Sequence, residues 1–132
     1  MTTQLWALAV AGIVVLAAVA LERARSSHAR RGALTATGMP SAEPYILYFT
    51  GDGCTICRTH QEPALAKLDS VRIDKVDAIA ERELAERFSV YTLPTTVVMS
   101  SAGKALHVNY GYAPAPKLER QLAEARMSTA TA

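Results

Sequence analysis

The sequence predicts an α/β domain behind one N-terminal transmembrane helix. An apolar run from Leu5 to Leu21, interrupted only by a glycine, opens the chain. From residue 45 onward, short continuous apolar runs alternate with segments whose apolar residues recur every three or four positions, the patterns of buried strands and amphipathic helices. The 132 residues allow one globular domain of ordinary size.

Composition and charge narrow the class of protein. Half of the residues are apolar and 20% are charged, which argues against intrinsic disorder. The net charge of +2 is uneven: residues 22–31 hold four arginines and one glutamate, whereas residues 43–132 hold ten basic and eleven acidic groups. A domain whose net charge is near zero lacks the basic balance of nucleic-acid binding proteins, so we expect no nucleic-acid partner.

Residues 1–21 contain no charged side chain and are predicted to form a transmembrane anchor. A helix of 17 to 21 residues is roughly 26–32 Å long, about the thickness of the hydrocarbon core of a bilayer. Trp6 near one end and the arginines after Leu21 are typical of the two membrane interfaces. The alternative is a cleaved signal peptide with small residues at 18–20, although no Lys or Arg precedes the apolar run.

The same arginines predict the orientation of the chain in a cell membrane. Because positively charged flanks stay on the cytoplasmic side, the single-pass helix would place the following domain on the cytoplasmic face. An extracytoplasmic domain is the alternative. Residues 22–43, rich in Arg, Ser, Ala, Thr and Gly, are predicted to form a basic flexible tether, or in part to extend the helix as far as Gly32.

Residues 44–127 are predicted to form the folded domain. The elements of its first half are a buried strand at 45–49, a turn at 50–53, a helix at about 54–68, a strand at 71–76 and a helix at 78–88. The second helix carries Ala80, Leu84 and Phe88 on one face. Strand, helix, strand and helix in succession indicate two parallel strands joined by a helical crossover.

The second half of the domain predicts an antiparallel hairpin and a final helix. Strands at 95–100 and 104–110 are separated by a short turn, and His107 and Asn109 alternate with apolar residues as in a half-exposed edge strand. The last helix begins near Pro116, and its apolar stripe consists of Leu118, Leu122 and Ala125. The small and polar residues 128–132 are predicted to form a disordered tail.

Cys54 and Cys57 are the two cysteines of the chain, at the point where the first strand turns into a helix. Two cysteines are too few for a disulfide framework or a four-ligand zinc site, which favours redox chemistry. Free amides and the dipole at a helix N-terminus stabilise a thiolate, so Cys54 is the candidate nucleophile and Cys57 the resolving cysteine. The alternative, half a metal site or two incidental thiols, lacks a second pair or a histidine at ligand spacing; we expect no metal.

These residues resemble the thioredoxin family over about residues 45–126. The resemblance rests on the strand leading into Cys54-Thr55-Ile56-Cys57, a proline in the following helix, Leu93-Pro94-Thr95 before a strand, and Gly111 before the last helix. It implies a βαβαββα domain with a mixed central sheet flanked by helices, and thiol–disulfide exchange without a cofactor. It also implies a cis peptide before Pro94, and a Leu93-Pro94-Thr95 segment that faces the cysteines and binds an extended substrate chain.

The chain departs from the thioredoxin pattern at several positions. Tyr48 stands where thioredoxins carry a buried Asp that helps to deprotonate the resolving cysteine, and Thr50 stands where they carry a Trp. Thr55-Ile56 replaces Gly-Pro between the cysteines, and Pro63 comes one residue later than usual. Strongly oxidising relatives carry a His beside the second cysteine, and its absence here favours a reductant.

Five further residues near the motif have a functional and a plainer interpretation. His60 is a candidate proton shuttle, or a solvated histidine on the helix surface. Asp52 is expected to form the turn, and Arg58 either supports a thiolate charge or is solvated. Tyr110 and Tyr112, which flank Gly111, are candidate binding groups, but we expect them to pack at the sheet edge.

The function predicted from the sequence is a membrane-tethered oxidoreductase that reduces or exchanges protein disulfides. Its expected partners are disulfide-containing protein substrates, an upstream reductase and, through the N-terminal helix, the membrane. One alternative is an extracytoplasmic enzyme acting on exported or cytochrome-maturation substrates. Another is a non-catalytic adaptor that keeps the fold as a docking surface, an idea prompted by the missing Asp and Trp.

Overall fold

A computed structural model of the chain describes residues 1–35 and 38–130, and contacts divide the chain into two units, Met1–Arg31 and Gly32–Ala132. Helix α1 covers Thr2–Thr35. Its part from Thr2 to Arg25 is long and apolar enough to cross a membrane, and the side chains there are exposed. A signal sequence near the N-terminus can be equally long and apolar, so the helix is a candidate membrane span on length and composition alone.

The stretch predicted as a flexible tether differs in the structure. Residues 22–35 continue α1, because alanine and arginine favour helix and the Ser27 hydroxyl donates to the carbonyl of Ala24 at 3.0 Å. This agrees with the alternative of a helix extension. Residues 36–37 of the predicted tether lie outside the described residues.

The end of the predicted tether is held by the folded domain. The amide of Gly38 donates to the carbonyl of Gly103 at 2.6 Å, and the amide of Ser41 donates to that of Ser101 at 2.8 Å. Gly103 has a φ of +85°, and a Cβ there would lie 2.5 Å from the Gly38 oxygen. Only glycine therefore allows this close approach.

The domain has the βαβαββα order that the sequence predicts. Its elements are β1 (Tyr45–Thr50), a π-helical segment (Cys57–Gln61) that continues into α2 (Glu62–Ala66), β2 (Ile73–Asp77), α3 (Arg82–Arg87), β3 (Thr95–Met99), β4 (Ala105–Tyr110) and α4 (Ala115–Ala130). The strand order is β2-β1-β3-β4. Strands β1 and β2 are parallel, whereas β1–β3 and β3–β4 are antiparallel. The predicted crossover, hairpin and edge position of β4 are confirmed.

Successive residues of β1 point to opposite faces of the sheet, and each face carries a buried cluster. The first cluster consists of Tyr45, Leu47, Phe49, Val76, Ala85, Phe88, Val90, Val97, Met99, Ala105 and Val108. The second consists of Ile46, Tyr48, Cys57, Ala64, Leu65, Leu68, Val98, Ala113, Ala115, Leu118, Leu122 and Ala125. We call them the α3 face and the α4 face. The predicted apolar stripe of the last helix is thus confirmed.

The predicted helix at residues 78–88 is shorter in the structure. The carboxylate of Asp77 accepts hydrogen bonds from the amides of Ile79 and Ala80, at 2.9 and 3.1 Å, and holds them in a turn. Helix α3 begins only at Arg82, so Ala80 is exposed and not part of the predicted apolar face.

Two other predictions differ in detail. Asn109 was expected on the exposed side of β4, but it is buried and its amide exchanges hydrogen bonds of 2.8 and 2.9 Å with the amide of Gln121. Pairing between two side-chain amides is what makes this burial possible. Residues 128–130, predicted as a tail, belong to α4, and residues 131–132 lie outside the described part.

Candidate active site

The first cysteine lies between a tight turn and the start of a helix. Residues 52–53 form the turn, in which Gly53 has a φ of +81°, and the amide of Cys54 donates to the carbonyl of Gly51 at 3.3 Å. Residues 55–66 then form a continuous helix, here called the cysteine helix. Strand β1 ends at Thr50, so Cys54 lies just beyond the end of this strand, at the N-terminus of the cysteine helix.

Cys54 and Cys57 form a disulfide with an S–S distance of 2.12 Å and a Cα–Cα distance of 5.3 Å. The two residues are unequally exposed: Cys54 is partly exposed, whereas Cys57 is fully buried. The backbone amide of Cys57 also donates to Cys54 Sγ at 3.3 Å. Of the two residues, Cys54 is therefore the one exposed to solvent, and its sulfur already has a hydrogen-bond donor.

The segment Leu93-Pro94-Thr95 lies beside the residues that lead from β1 to Cys54. The Leu93–Pro94 peptide bond is cis, as the resemblance implied. Leu93 packs against both buried clusters, and a Cβ at Gly51 would lie 3.0 Å from Leu93 Cδ1. The Thr95 hydroxyl donates to the carbonyl of Thr92 at 2.6 Å, which fixes the entry into β3.

A family model of the thioredoxin-like domain matches residues 35–126. The chain belongs to the thioredoxin-like family. Together with the close Cys54–Cys57 pair, this membership indicates a thiol–disulfide oxidoreductase in general.

Solved thioredoxin structures resemble the chain across most of their own length. Fasciola hepatica thioredoxin is 30% identical, with 64% of this chain and 82% of that chain covered and a TM-score of 0.53. A mutant Halobacterium salinarum thioredoxin is 22% identical, covering 64% and 75% with a TM-score of 0.57. Oxidised mitochondrial thioredoxin 3 of Saccharomyces cerevisiae is 22% identical, covering 74% and 88% with a TM-score of 0.54. The last two show the fold alone. No curated protein matches the chain.

The cysteine helix of this thioredoxin-like domain contains a π-helical segment, Cys57–Gln61. The amide of Glu62 donates to the carbonyl of Cys57, five residues back, and Pro63 has no amide hydrogen to donate. A π-turn accommodates one extra residue in a helix. This explains why Pro63 comes one position later than in the thioredoxin pattern.

The position where thioredoxins carry a buried acid holds Tyr48 in this family member. Its hydroxyl donates to Glu62 Oε2 at 3.4 Å, and Lys75 Nζ from the neighbouring strand lies 3.1 Å from Glu62 Oε1. Burial raises the pKa of the Tyr48 hydroxyl, the hydrogen bond with Thr50 lowers it, and the Glu62 carboxylate raises it. A neutral hydroxyl therefore occupies this position in the cluster that contains Cys57.

The side chains of the other candidates near the pair, His60, Arg58 and Asp52, are exposed on the surface of the domain. His60 is exposed, and its Nδ1 lies 2.8 Å from the Thr59 hydroxyl. The centroids of the His60 and Tyr112 rings are 5.9 Å apart, and the two rings are arranged edge to face. Within residues 1–35 and 38–130, no three His, Cys, Asp or Glu side chains are grouped so that they could hold a metal ion.

Sequence reasoning missed Gln61. Its side chain is fully buried, and its amide makes two hydrogen bonds to the backbone of Ala113, which lies 52 residues further along the chain. The one available signal was the displaced Pro63, which indicated an extra residue in the helix. That signal did not identify which side chain was turned inward or what it contacted.

Proposed function

We propose that this protein is a membrane-tethered thiol–disulfide oxidoreductase that reduces disulfides in protein substrates. The observation that supports this best is the unequal pair at the helix N-terminus: a partly exposed Cys54 and a buried Cys57 whose amide lies 3.3 Å from Cys54 Sγ. After reduction of the pair, this amide and the helix dipole stabilise the Cys54 thiolate.

The reaction has two exchange steps. The Cys54 thiolate attacks one sulfur of a substrate disulfide; the substrate S–S bond breaks, and its other sulfur leaves as a thiolate that takes up a proton. The Cys57 thiol then loses its proton and attacks Cys54 Sγ, which breaks the mixed disulfide and releases the second substrate thiol. The substrate gains two electrons and two protons, and the Cys54–Cys57 disulfide is formed. A partner reductase with a dithiol returns the two electrons.

Leu93, Pro94 and Thr95 form the proposed substrate-binding segment. Leu93 lies against Gly51, three residues before Cys54, so a chain bound along this segment would pass close to Cys54. Ile56, between the cysteines, is 51% exposed and offers a further apolar contact beside the pair. An extended substrate chain with apolar side chains beside its disulfide fits this surface.

The proposed tether is α1. Its exposed apolar side chains require an apolar surrounding, and its length from Thr2 to Arg25 matches a bilayer. The arginines at residues 23–31 favour the cytoplasmic face for the domain. A C-terminal reporter that is active only in the cytoplasm supports this orientation; one that is active only outside contradicts it. Extraction of the full chain from membranes by carbonate, or loss of residues 1–20 by cleavage, would contradict the tether.

Replacement of the proposed nucleophile tests the activity. In full-length protein in detergent, Cys54→Ser should lower the reduction of insulin disulfides to the uncatalysed rate, because the first exchange step needs this sulfur. Cys57→Ser should instead accumulate mixed disulfides with substrates, and the double variant should accumulate none. An unchanged rate in Cys54→Ser contradicts the proposal, and a wild-type protein without activity favours the adaptor.

A further inference from the structure

The side-chain amide of Gln61 pairs with both the backbone N–H and the backbone carbonyl of a residue in a distant loop. Its Oε1 accepts from the amide of Ala113 at 2.9 Å, and its Nε2 donates to the carbonyl of the same residue at 3.0 Å. Both Gln61 and Ala113 are fully buried. Because a primary amide carries a donor and an acceptor side by side, it satisfies both backbone groups at once; a carboxylate or a thioether cannot.

The loop that Gln61 holds lies between the cysteine helix and the cis-proline segment. We call residues 111–113 the Gly111 loop. The amide of Gly111 donates to the carbonyl of Pro94 at 2.8 Å, and the ring of Tyr112 meets that of His60 at 5.9 Å. The loop is therefore bonded to the proposed substrate-binding segment at one end and to the cysteine helix at the other.

Gln61 also shares its buried position with the resolving cysteine. Cys57 and Gln61 are the buried residues of the π-helical segment, and a spacing of four places them on the same side of the helix. Arg58, Thr59 and His60 between them are exposed. The side of the helix that carries Cys57 is thus joined through Gln61 to the Gly111 loop and from there to Pro94.

We infer that Gln61 is a positioning residue for substrate binding. It holds the Gly111 loop, and through it the backbone of Pro94, at a fixed place relative to the cysteine helix, so an extended substrate chain meets a binding segment that is already in position. Its side-chain hydrogen bonds go to Ala113, not to a sulfur of the pair. Gln61 therefore acts on the KM for protein disulfides and not on the exchange step itself. This inference rests on the proposed function.

The test compares Gln61→Met with Gln121→Met in full-length protein in detergent. Gln121 is the matched control because its buried amide also makes two hydrogen bonds, to Asn109, but joins α4 to β4. Each variant is assayed with insulin, whose chains are long enough to lie along the proposed binding segment, and with oxidised glutathione, which is too small to span it. Amide hydrogen exchange of Gly111 is measured in both.

Gln61→Met should raise the KM for insulin about tenfold, because the loop loses two buried hydrogen bonds, while kcat and the glutathione rate change less than about twofold. The Gly111 amide should exchange faster in Gln61→Met and at the wild-type rate in Gln121→Met. If Gln61→Met does not fold, Gln61→Glu, which keeps one acceptor for Ala113, is measured in the same way.

Three results would overturn the inference: an unchanged KM for insulin, an equal rise in KM in both variants, or a parallel loss of the glutathione rate. A wild-type protein without exchange activity overturns the proposed function instead. In that case the Gly111 amide still decides about Gln61, since equal exchange in wild type and Gln61→Met removes its positioning role.

Discussion

The two faces of the sheet are both buried, but they are filled differently. The α3 face is apolar and partly aromatic, with the rings of Phe49 and Phe88 at 5.8 Å between centroids. The α4 face contains Cys57 and is accompanied by buried amide groups, which belong to Gln61, Asn109 and Gln121. The buried cysteine and these three buried amides therefore lie on the same side of the sheet.

The two faces therefore contribute to the structure in different ways. Apolar contacts are non-directional, so the apolar side chains of the α3 face stabilise the sheet without specifying where a particular loop lies. Hydrogen bonds between buried amides require one geometry, because an unpaired amide in the core is costly. On the α4 face, such bonds join β4 to α4 through Asn109 and Gln121, and the cysteine helix to the Gly111 loop through Gln61. We expect substitutions on the first face to change stability, and those of a buried amide on the second face to change also the geometry of the two segments which that amide joins.

The largest effect is expected from Phe88→Ala. Phe88 is fully buried between α3 and the sheet, and removal of its ring should lower the free energy of unfolding by about 3–5 kcal/mol. Urea unfolding of the full chain measures the loss, and the rate of insulin reduction per folded molecule should stay at the wild-type value. Phe88→Leu is the control, with a smaller loss. A lower rate in the folded fraction would break the separation between the two faces.

A smaller effect is expected from the amide pair of the other face. Asn109→Leu or Gln121→Leu should each cost about 1–3 kcal/mol of unfolding free energy, because each removes both hydrogen bonds between the two amides and leaves buried polar atoms of the partner unsatisfied. The double variant should cost clearly less than the sum, since both amides are then gone. Urea unfolding of the four proteins gives the coupling energy. Additive losses would mean that the two amides do not act as a pair.

The smallest effect at neutral pH is expected from Tyr45→Phe, which removes the 2.7 Å hydrogen bond from the Tyr45 hydroxyl to the carbonyl of Met39. The loss should be about 1 kcal/mol. Tyr91→Phe, at a tyrosine that is 79% exposed, is the control and should change stability little. Equal losses in both variants would contradict a docked segment at residues 38–41.

The same tyrosine predicts a dependence on alkaline pH. Burial raises the pKa of Tyr45 above its ordinary value of 10.0, the charge of Arg72 lowers it and that of Asp74 raises it. Above pH 10 the unfolded chain releases this proton while the folded domain retains it, so stability falls as pH rises toward the folded pKa. Tyr45→Phe should show a shallower loss of unfolding free energy between pH 9.5 and 11 than wild type, as measured by urea unfolding.

Much of the fold could be predicted because its signals are local. The apolar run at residues 45–49 predicted β1, and the spacing of Leu118, Leu122 and Ala125 predicted the buried side of α4. Helix α3 shows one limit of periodicity. It begins later than predicted, because the carboxylate of Asp77 holds Ile79 and Ala80 in a turn before the helix. Asn109 shows another, since a polar residue on an edge strand was buried by its partner on α4.

The order and kind of the elements and the place of the cysteine pair were determined by the sequence alone, because they follow from local periodicity and from turn residues next to a strand. Only the tertiary structure decided which polar groups are buried and which loops they join. The hydrogen bonds between Gln61 and Ala113 connect positions 52 residues apart, and neither segment carries a local pattern that reveals the other. The docking of residues 38–41 on the β3–β4 turn has the same origin.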